Sequence, residues 1–290
     1  MSKARTIESV ASALTWTAVG AGLLLAPASA SAATVSANWA GYVATPTRSV
    51  GSRFSSVSGS WTQPSATCSA GRETYSAVWV GLGGDSDSAR ALEQIGTDAN
   101  CTRSGDADYS SWYELVPAGP VKLPLKVHAG DRMSAAVTVD GHGVTLGVRD
   151  FSTGAHFTRT RRVSTVDVSS AEWIVEAPSV CLTTSTCATL PLTNFGTLVF
   201  SGATATAHRH TGTIEDPDWS ARALELQQAA GTSVRGPAAS RDLSPSTLTV
   251  ATVSPTASSG GSFSVIWQEQ QAQVERASAP TLPGFHGGPP

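Results

Sequence analysis

The chain has 290 residues, is 40% hydrophobic and only 14% charged, and carries a formal net charge of −3 at pH 7. This composition excludes a solvated disordered chain and a helical bundle built on ion pairs. The near-neutral balance excludes the basic footprint of a nucleic-acid-binding protein. The length suits one large domain or two small ones, and an all-β sandwich absorbs it as one.

In chain order, the first segment has the pattern of a secretory signal peptide. Lys3 and Arg5 give a basic start, an apolar run covers 11–26, and small residues cover 27–33, with Ala28-Ser29-Ala30 and Ser31-Ala32-Ala33 as cleavage sites. Removal of residues 1–33 is therefore expected, leaving a secreted, extracellular chain of net charge −4. The run is short for a spanning helix, so no membrane association is expected after cleavage.

Residues 34–270 read as one domain of short strands. Expected strands lie at 57–61, 75–81, 109–116, 133–139, 144–149, 198–201 and 265–267. Gly83-Gly84-Asp85, Ser104-Gly105-Asp106, Ala129-Gly130-Asp131, Asp140-Gly141 and Ser152-Thr153-Gly154 punctuate them. Strands and turns recurring in this way predict an antiparallel sandwich or barrel. Residues 220–229 form a short candidate helix, with another strand as the alternative. Arg159, Arg161 and Arg162 read as the solvated face of one hairpin. Residues 271–290, Pro- and Gly-rich from 281, are expected to be disordered.

Cys68, Cys101, Cys181 and Cys187 make an even count in an exported chain, which suggests two disulfides. Three pairings are open, and sequence order favours Cys68–Cys101 and Cys181–Cys187. No C-x-x-C occurs and no His has zinc-site spacing, so no metal is expected. His208 and His210 could share one side of a strand, but with no third ligand in view they read as surface residues.

Alternation along a strand sorts the remaining polar residues by face. Glu172, Ile174 and Glu176 share one face, as do Leu92, Gln94 and Gly96, then Trp112 and Glu114, and also Tyr75, Ala77 and Trp79. A face carrying Trp, Gln and Glu suits a polar cleft with aromatic walls. Taken singly, Glu172 reads as a solvent-facing strand residue and Trp79 as core. G-x-S-x-G, H-E-x-x-H, Asp-Thr-Gly and Asp-Ser-Gly are all absent.

Several segments, in order, resemble the glutamic peptidases, the eqolisin family. They are Ser36-Ala37-Asn38-Trp39-Ala40-Gly41, the strand 54–64 ending in a proline, Trp79-Val80-Gly81-Leu82, Gln94-Ile95-Gly96-Thr97-Asp98, Trp112-Tyr113-Glu114 and Glu172-Trp173-Ile174-Val175-Glu176. The resemblance covers most of 35–200. It implies a concanavalin-like jelly-roll sandwich and a secreted acid endopeptidase acting on polypeptides, with no cofactor; oligomeric state is open, with a monomer as the default. It assigns Glu176 and Gln94 as the catalytic pair. Trp79, Glu114, Asp98, Trp39 and Trp112 would support or line the cleft.

The chain departs from the family pattern at Gly83, where an acidic residue is common, and at Ala177, where fungal members often have Asp. The opening strand also follows almost directly after the signal segment. With 17 basic residues and six His after residue 33, strong acid would load the chain with positive charge, so a milder acidic optimum is expected. The alternatives are a carbohydrate-binding or glycoside-hydrolysing jelly roll using Glu172 and Glu176, or an inactive secreted binding module.

Overall fold

The computed structural model describes residues 33–47, 53–86, 89–183, 186–229 and 247–269. The expected signal segment, apart from Ala33, and the expected disordered tail lie outside them. The described residues are all-β, and no helix among them is long and apolar enough to cross a membrane.

The strands are β1 (Thr34–Ser36), β2 (Trp39–Pro46), β3 (Phe54–Thr62), β4 (Ala77–Leu82), β5 (Glu93–Cys101), β6 (Ala107–Leu115), β7 (Val121–Lys122), β8 (Arg132–Asp140), β9 (Gly143–Asp150), β10 (His156–Arg162), β11 (Ala171–Glu176), β12 (Ser179–Thr183), β13 (Thr186–Thr189), β14 (Thr197–Ala207), β15 (His210–Thr213), β16 (Trp219–Ala229), β17 (Thr247–Val253) and β18 (Phe263–Trp267). Hydrogen bonding runs β10-β9-β8-β3-β14-β18-β17-β16-β2-β11-β4-β5-β6-β7. Every pair on this path is antiparallel, whereas β1 joins β16 in parallel. The path folds back on itself, so β3 and β8 pack against β4, and β8 and β9 against β5. The result is the expected antiparallel sandwich.

Alternation builds the layers. On β8, Met133, Ala135, Val137 and Val139 point into the core while their neighbours point away. The β8–β9 hairpin turns through Gly141 (φ 58°) and His142, between the paired Asp140 and Gly143. A two-residue hairpin turn with glycine at its first central position and a positive φ there alone is of the type II′ class. β4 is buried along its whole length because it carries apolar groups on both faces. Val78, Val80 and Leu82 join the inter-sheet core, while Ala77 and Trp79 join a second apolar cluster with Val43, Leu92, Trp112, Ile174 and Leu224 on the opposite face.

Two indoles tie the layers together. Trp173 Nε1 on β11 donates to the Ser58 carbonyl on β3 (2.8 Å), and Trp61 Nε1 on β3 donates to Thr97 Oγ1 on β5 (3.2 Å). A Cys68–Cys101 disulfide anchors the 63–74 connection to the end of β5, and Cys181 lies opposite Cys187 across the β12–β13 ladder.

Two expectations change. Residues 220–229 are strand, not helix: β16 is paired with β2 on one side and β17 on the other, and these ladders override the helix-forming Ala, Leu, Glu and Gln. His208 is not on a strand. It and Arg209 form a tight turn at φ 49° and 66° between β14 and β15.

Candidate active site

Strand register places the polar residues in three cross-strand rows on the face away from the main core. The first row runs Trp39–Glu176–Ala77–Asp98–Ser110. The second runs Gly41–Ile174–Trp79–Gly96–Trp112. The third runs Val43–Glu172–Gly81–Gln94–Glu114. The structure thus brings Glu176, Gln94, Trp39, Trp79, Asp98, Glu114 and Trp112 onto one face.

The middle row makes the floor. Trp39 and Trp79 meet edge-on, with ring centroids 5.1 Å apart and planes at 78°. Gly96 carries no side chain because a Cβ there would collide with the Val78 carbonyl oxygen and with Trp79 Cβ. That absence lets β5 close against the backbone beneath the Trp79 ring.

Glu176 ends β11 beside the β1–β2 corner. Ser36 Oγ accepts from the Asn38 and Trp39 N–H groups (3.4 and 3.1 Å), which shapes that corner. The Ala177 N–H donates to the Asn38 carbonyl (2.8 Å) and fixes the two segments together. The Glu176 carboxylate then accepts from Trp79 Nε1 at 2.8 Å and from Asn38 Nδ2 at 3.1 Å. The Trp39 indole N–H is close by but falls short of hydrogen-bond geometry and is buried without a partner. Burial pushes the Glu176 carboxyl up to about 7, reinforced by the nearby Glu114 and opposed by the indole and amide donors.

Gln94 is 4% exposed and donates through Nε2 to Glu114 Oε2 at 2.7 Å, while its Oε1 is buried and unpartnered. Burial also raises Glu114. Asp98 accepts from Ser110 Oγ at 2.8 Å, and burial pushes its carboxyl up to about 6. Beneath it, Gln63 Nε2 holds the Asp98 carbonyl at 2.9 Å and Oε1 accepts from Thr97 Oγ1 at 2.6 Å, which braces β5 from the core side. Gln94 and Glu176 stand two strands and two rows apart, with Trp79 between them and Glu114 close enough to Glu176 to repel it.

Glu172 overturns its sequence reading as a solvent-facing residue: it has no exposed surface, and both carboxyl oxygens lack partners. Loops remote in sequence seal it. Gly84 N–H donates to Asp167 Oδ2 (3.2 Å), Arg222 pairs with Asp85, and Glu93, buried at the start of β5, accepts from the Asp167 N–H (3.3 Å). Burial pushes the Glu93 carboxyl up to about 8. At Gly83, φ is +83° and a Cβ would collide with Asp167 Cβ and sit 2.6 and 2.7 Å from its carbonyl oxygen and carboxyl carbon. The space of a side chain at Gly83 is therefore filled by Asp167 from another loop.

Sequence reasoning did not single out Asn38, Ser110, Glu93 or Asp167. Asn38 alone had a signal, since it stands inside the Asn-Trp segment. His210 meets Asp216 (Nε2–Oδ2 2.7 Å) with Asp218 close by, an exposed ion-pair cluster that supplies the neighbours the sequence could not place.

The sequence profile of the Peptidase A4 family matches residues 37–251. The chain belongs to the peptidase A4 family. It is a hydrolase of the glutamic peptidase type. Scytalido-glutamic peptidase, solved with a peptide-based transition state analog, has a TM-score of 0.62 and 22% identity, covering 81% of this chain and 100% of its own. SCP-B, an eqolisin-family peptidase in complex with the tripeptide Ala-Ile-His, gives 0.59 and 20% over 81% and 100%. Aspergilloglutamic peptidase from Aspergillus niger gives 0.51 and 22% over 67% and 99%. These likenesses show a shared fold. No curated protein sequence matches the chain significantly.

Proposed function

We propose that this peptidase A4 protein is a secreted endopeptidase that cleaves extended polypeptides with Glu176 and Gln94. The observation that carries the reading is the Glu176 carboxylate, held by Trp79 and Asn38 in a cleft with a raised pKa, opposite a buried amide with a free acceptor. Ionised Glu176 takes a proton from the water that attacks the scissile carbonyl and later returns it to the leaving amine. Gln94 Nε2 has two hydrogens, one used by Glu114, and the other is free to stabilise the oxyanion. A donor of this kind contributes about 3–4 kcal/mol to the transition state. The scissile bond would lie over Trp79, between the two residues.

A peptide substrate fits the company the fold keeps, since two structural neighbours hold a peptide-based analog and a tripeptide. Secretion is supported by the N-terminal pattern and by the Cys68–Cys101 disulfide. The glycosidase alternative has no such support, because Glu172 is sealed away from any sugar-sized cleft.

Glu176 must be ionised to act as base, and its carboxyl is pushed up to about 7. The acid limb of kcat/KM therefore lies well above the ordinary glutamate value of about 4.3. Cleavage of a denatured protein across pH 2 to 8, comparing the wild type with Glu176→Gln, tests the whole reading. Activity confined to the wild type supports it. Equal activity in a folded Glu176→Gln variant removes Glu176 as the base.

A further inference from the structure

One buried carboxyl is not used by that chemistry. Glu172 is fully enclosed, neither carboxyl oxygen has a partner, and an ionised carboxylate in that state is strongly disfavoured. In its row, Glu172 pairs with Gly81 and Gly81 pairs with Gln94. Gly81 puts no side chain of its own between them; a Cβ there would lie 2.9 Å from the Trp79 ring and 3.2 Å from Gln94 Cβ, so the edge of that ring flanks the gap. Two strand spacings are about 9.6 Å, a span that a Glu and a Gln reaching towards each other can bridge. On its other side Gln94 commits Nε2 to Glu114, leaving Oε1 buried without a donor. Two acceptors in one row thus lack a donor, and a single proton satisfies both.

We infer that Glu172 works as an undissociated carboxylic acid whose O–H donates to Gln94 Oε1, locking the amide so that Nε2 faces Glu114 and the cleft. Glu172 is then a positioning residue that acts through Gln94, and its role rests on the Glu176–Gln94 reading. The groups around it agree. Burial first, with Asp85, Asp167 and Glu93 adding like charge and the Ser170 hydroxyl opposing, holds its proton well above the ordinary carboxyl range. The nearest cation in the row, Arg222 beyond Val43, is taken up by Asp85. Ionisation of Glu172 would reward the opposite amide orientation, with Nε2 turned towards Glu172 and lost to the substrate. Activity therefore falls on the alkaline side as this proton leaves.

The test compares kcat, KM and pH profiles of the wild type, Glu172→Leu and Glu172→Gln, with Gln94→Ala as the second background. Glu172→Leu removes the donor and leaves the buried Gln94 Oε1 without one. Its kcat is expected to fall about 10- to 100-fold, less than the loss of an oxyanion donor itself, with KM little changed. Glu172→Gln keeps a donor that cannot ionise, so it recovers most of kcat over the leucine variant and moves the alkaline limb to higher pH. In Gln94→Ala, adding Glu172→Leu has no further effect. A readout independent of turnover is the Gln94 side-chain amide NMR signal, which shifts with the Glu172 titration in the wild type and not in Glu172→Gln. A folded Glu172→Leu with wild-type kcat and unmoved amide signals overturns the inference, as does a Glu172→Gln no better than leucine. If Gln94→Ala is inactive while Glu172→Leu is fully active, only this inference falls. If Gln94→Ala is fully active, the Glu176–Gln94 reading falls and takes this inference with it.

Discussion

Glu172 and Glu176 sit on the same strand and the same face, four residues apart, and share no part of their environment. Glu176 is partly open to the cleft and gathers an indole and an amide donor. Glu172 is sealed by the loops carrying Asp85 and Asp167 and has no partner. Burial raises both carboxyls, but only Glu176 keeps exposed surface. Residue type and face were common to the two, so the difference in chemistry comes from the neighbours that folding brings to each.

The largest effect expected separates the two directly. Glu176→Gln should lower kcat by about 10³-fold or more while leaving the far-ultraviolet circular dichroism unchanged, since it removes the proposed base and keeps the shape. The next change tunes the base without removing it. Trp79→Phe deletes the 2.8 Å indole donor that favours the charged carboxylate. Glu176 then ionises at higher pH, so the acid limb of kcat/KM should move up by about one unit and kcat below that pH should fall about tenfold. A pH–rate profile of the variant reads this, and an unmoved limb removes Trp79 from the electrostatics of the base.

Stability should respond in the opposite sense from most acid denaturations. Glu93, Glu176 and Asp98 are pushed up to about 8, 7 and 6, above their unfolded values of about 4. Between those limits the folded chain binds more protons than the unfolded one, so stability declines as pH rises from about 4 to 8. Melting temperature measured across that range should fall by several degrees, and Glu93→Gln should flatten the slope at its alkaline end. The smallest effect is at Asn38. Asn38→Ala removes a 3.1 Å donor at the cleft edge, where Trp79 remains, and should cost only a few-fold in kcat.

Much of the sandwich is legible in the sequence because its strands alternate cleanly and its turns use Gly and Asp, as at Asp140-Gly141. The cleft face is legible for the same reason: a two-residue period places Gln94, Trp112, Glu114 and Glu176 on one side of their strands. The enclosure of Glu172 is not, because it depends on Gly83 admitting Asp167 from 84 residues away. Nor is β16, whose Ala, Arg, Leu, Glu and Gln favour helix until β2 and β17 bind both its edges. Local preference is visible in a sequence, whereas competition from distant backbone is not.

The strand order ends at β10, where Arg159, Arg161 and Arg162 are all exposed. A peptidase acting on extended polypeptides, as proposed above, works among segments seeking a backbone to pair with, its own copies included. An open sheet margin is where such pairing begins. Guanidinium groups keep their charge at every pH the enzyme could meet. While the carboxyls of the cleft gain and lose protons with the medium, this margin stays equally repellent to a second copy of itself, so solubility is uncoupled from the acidity that governs turnover.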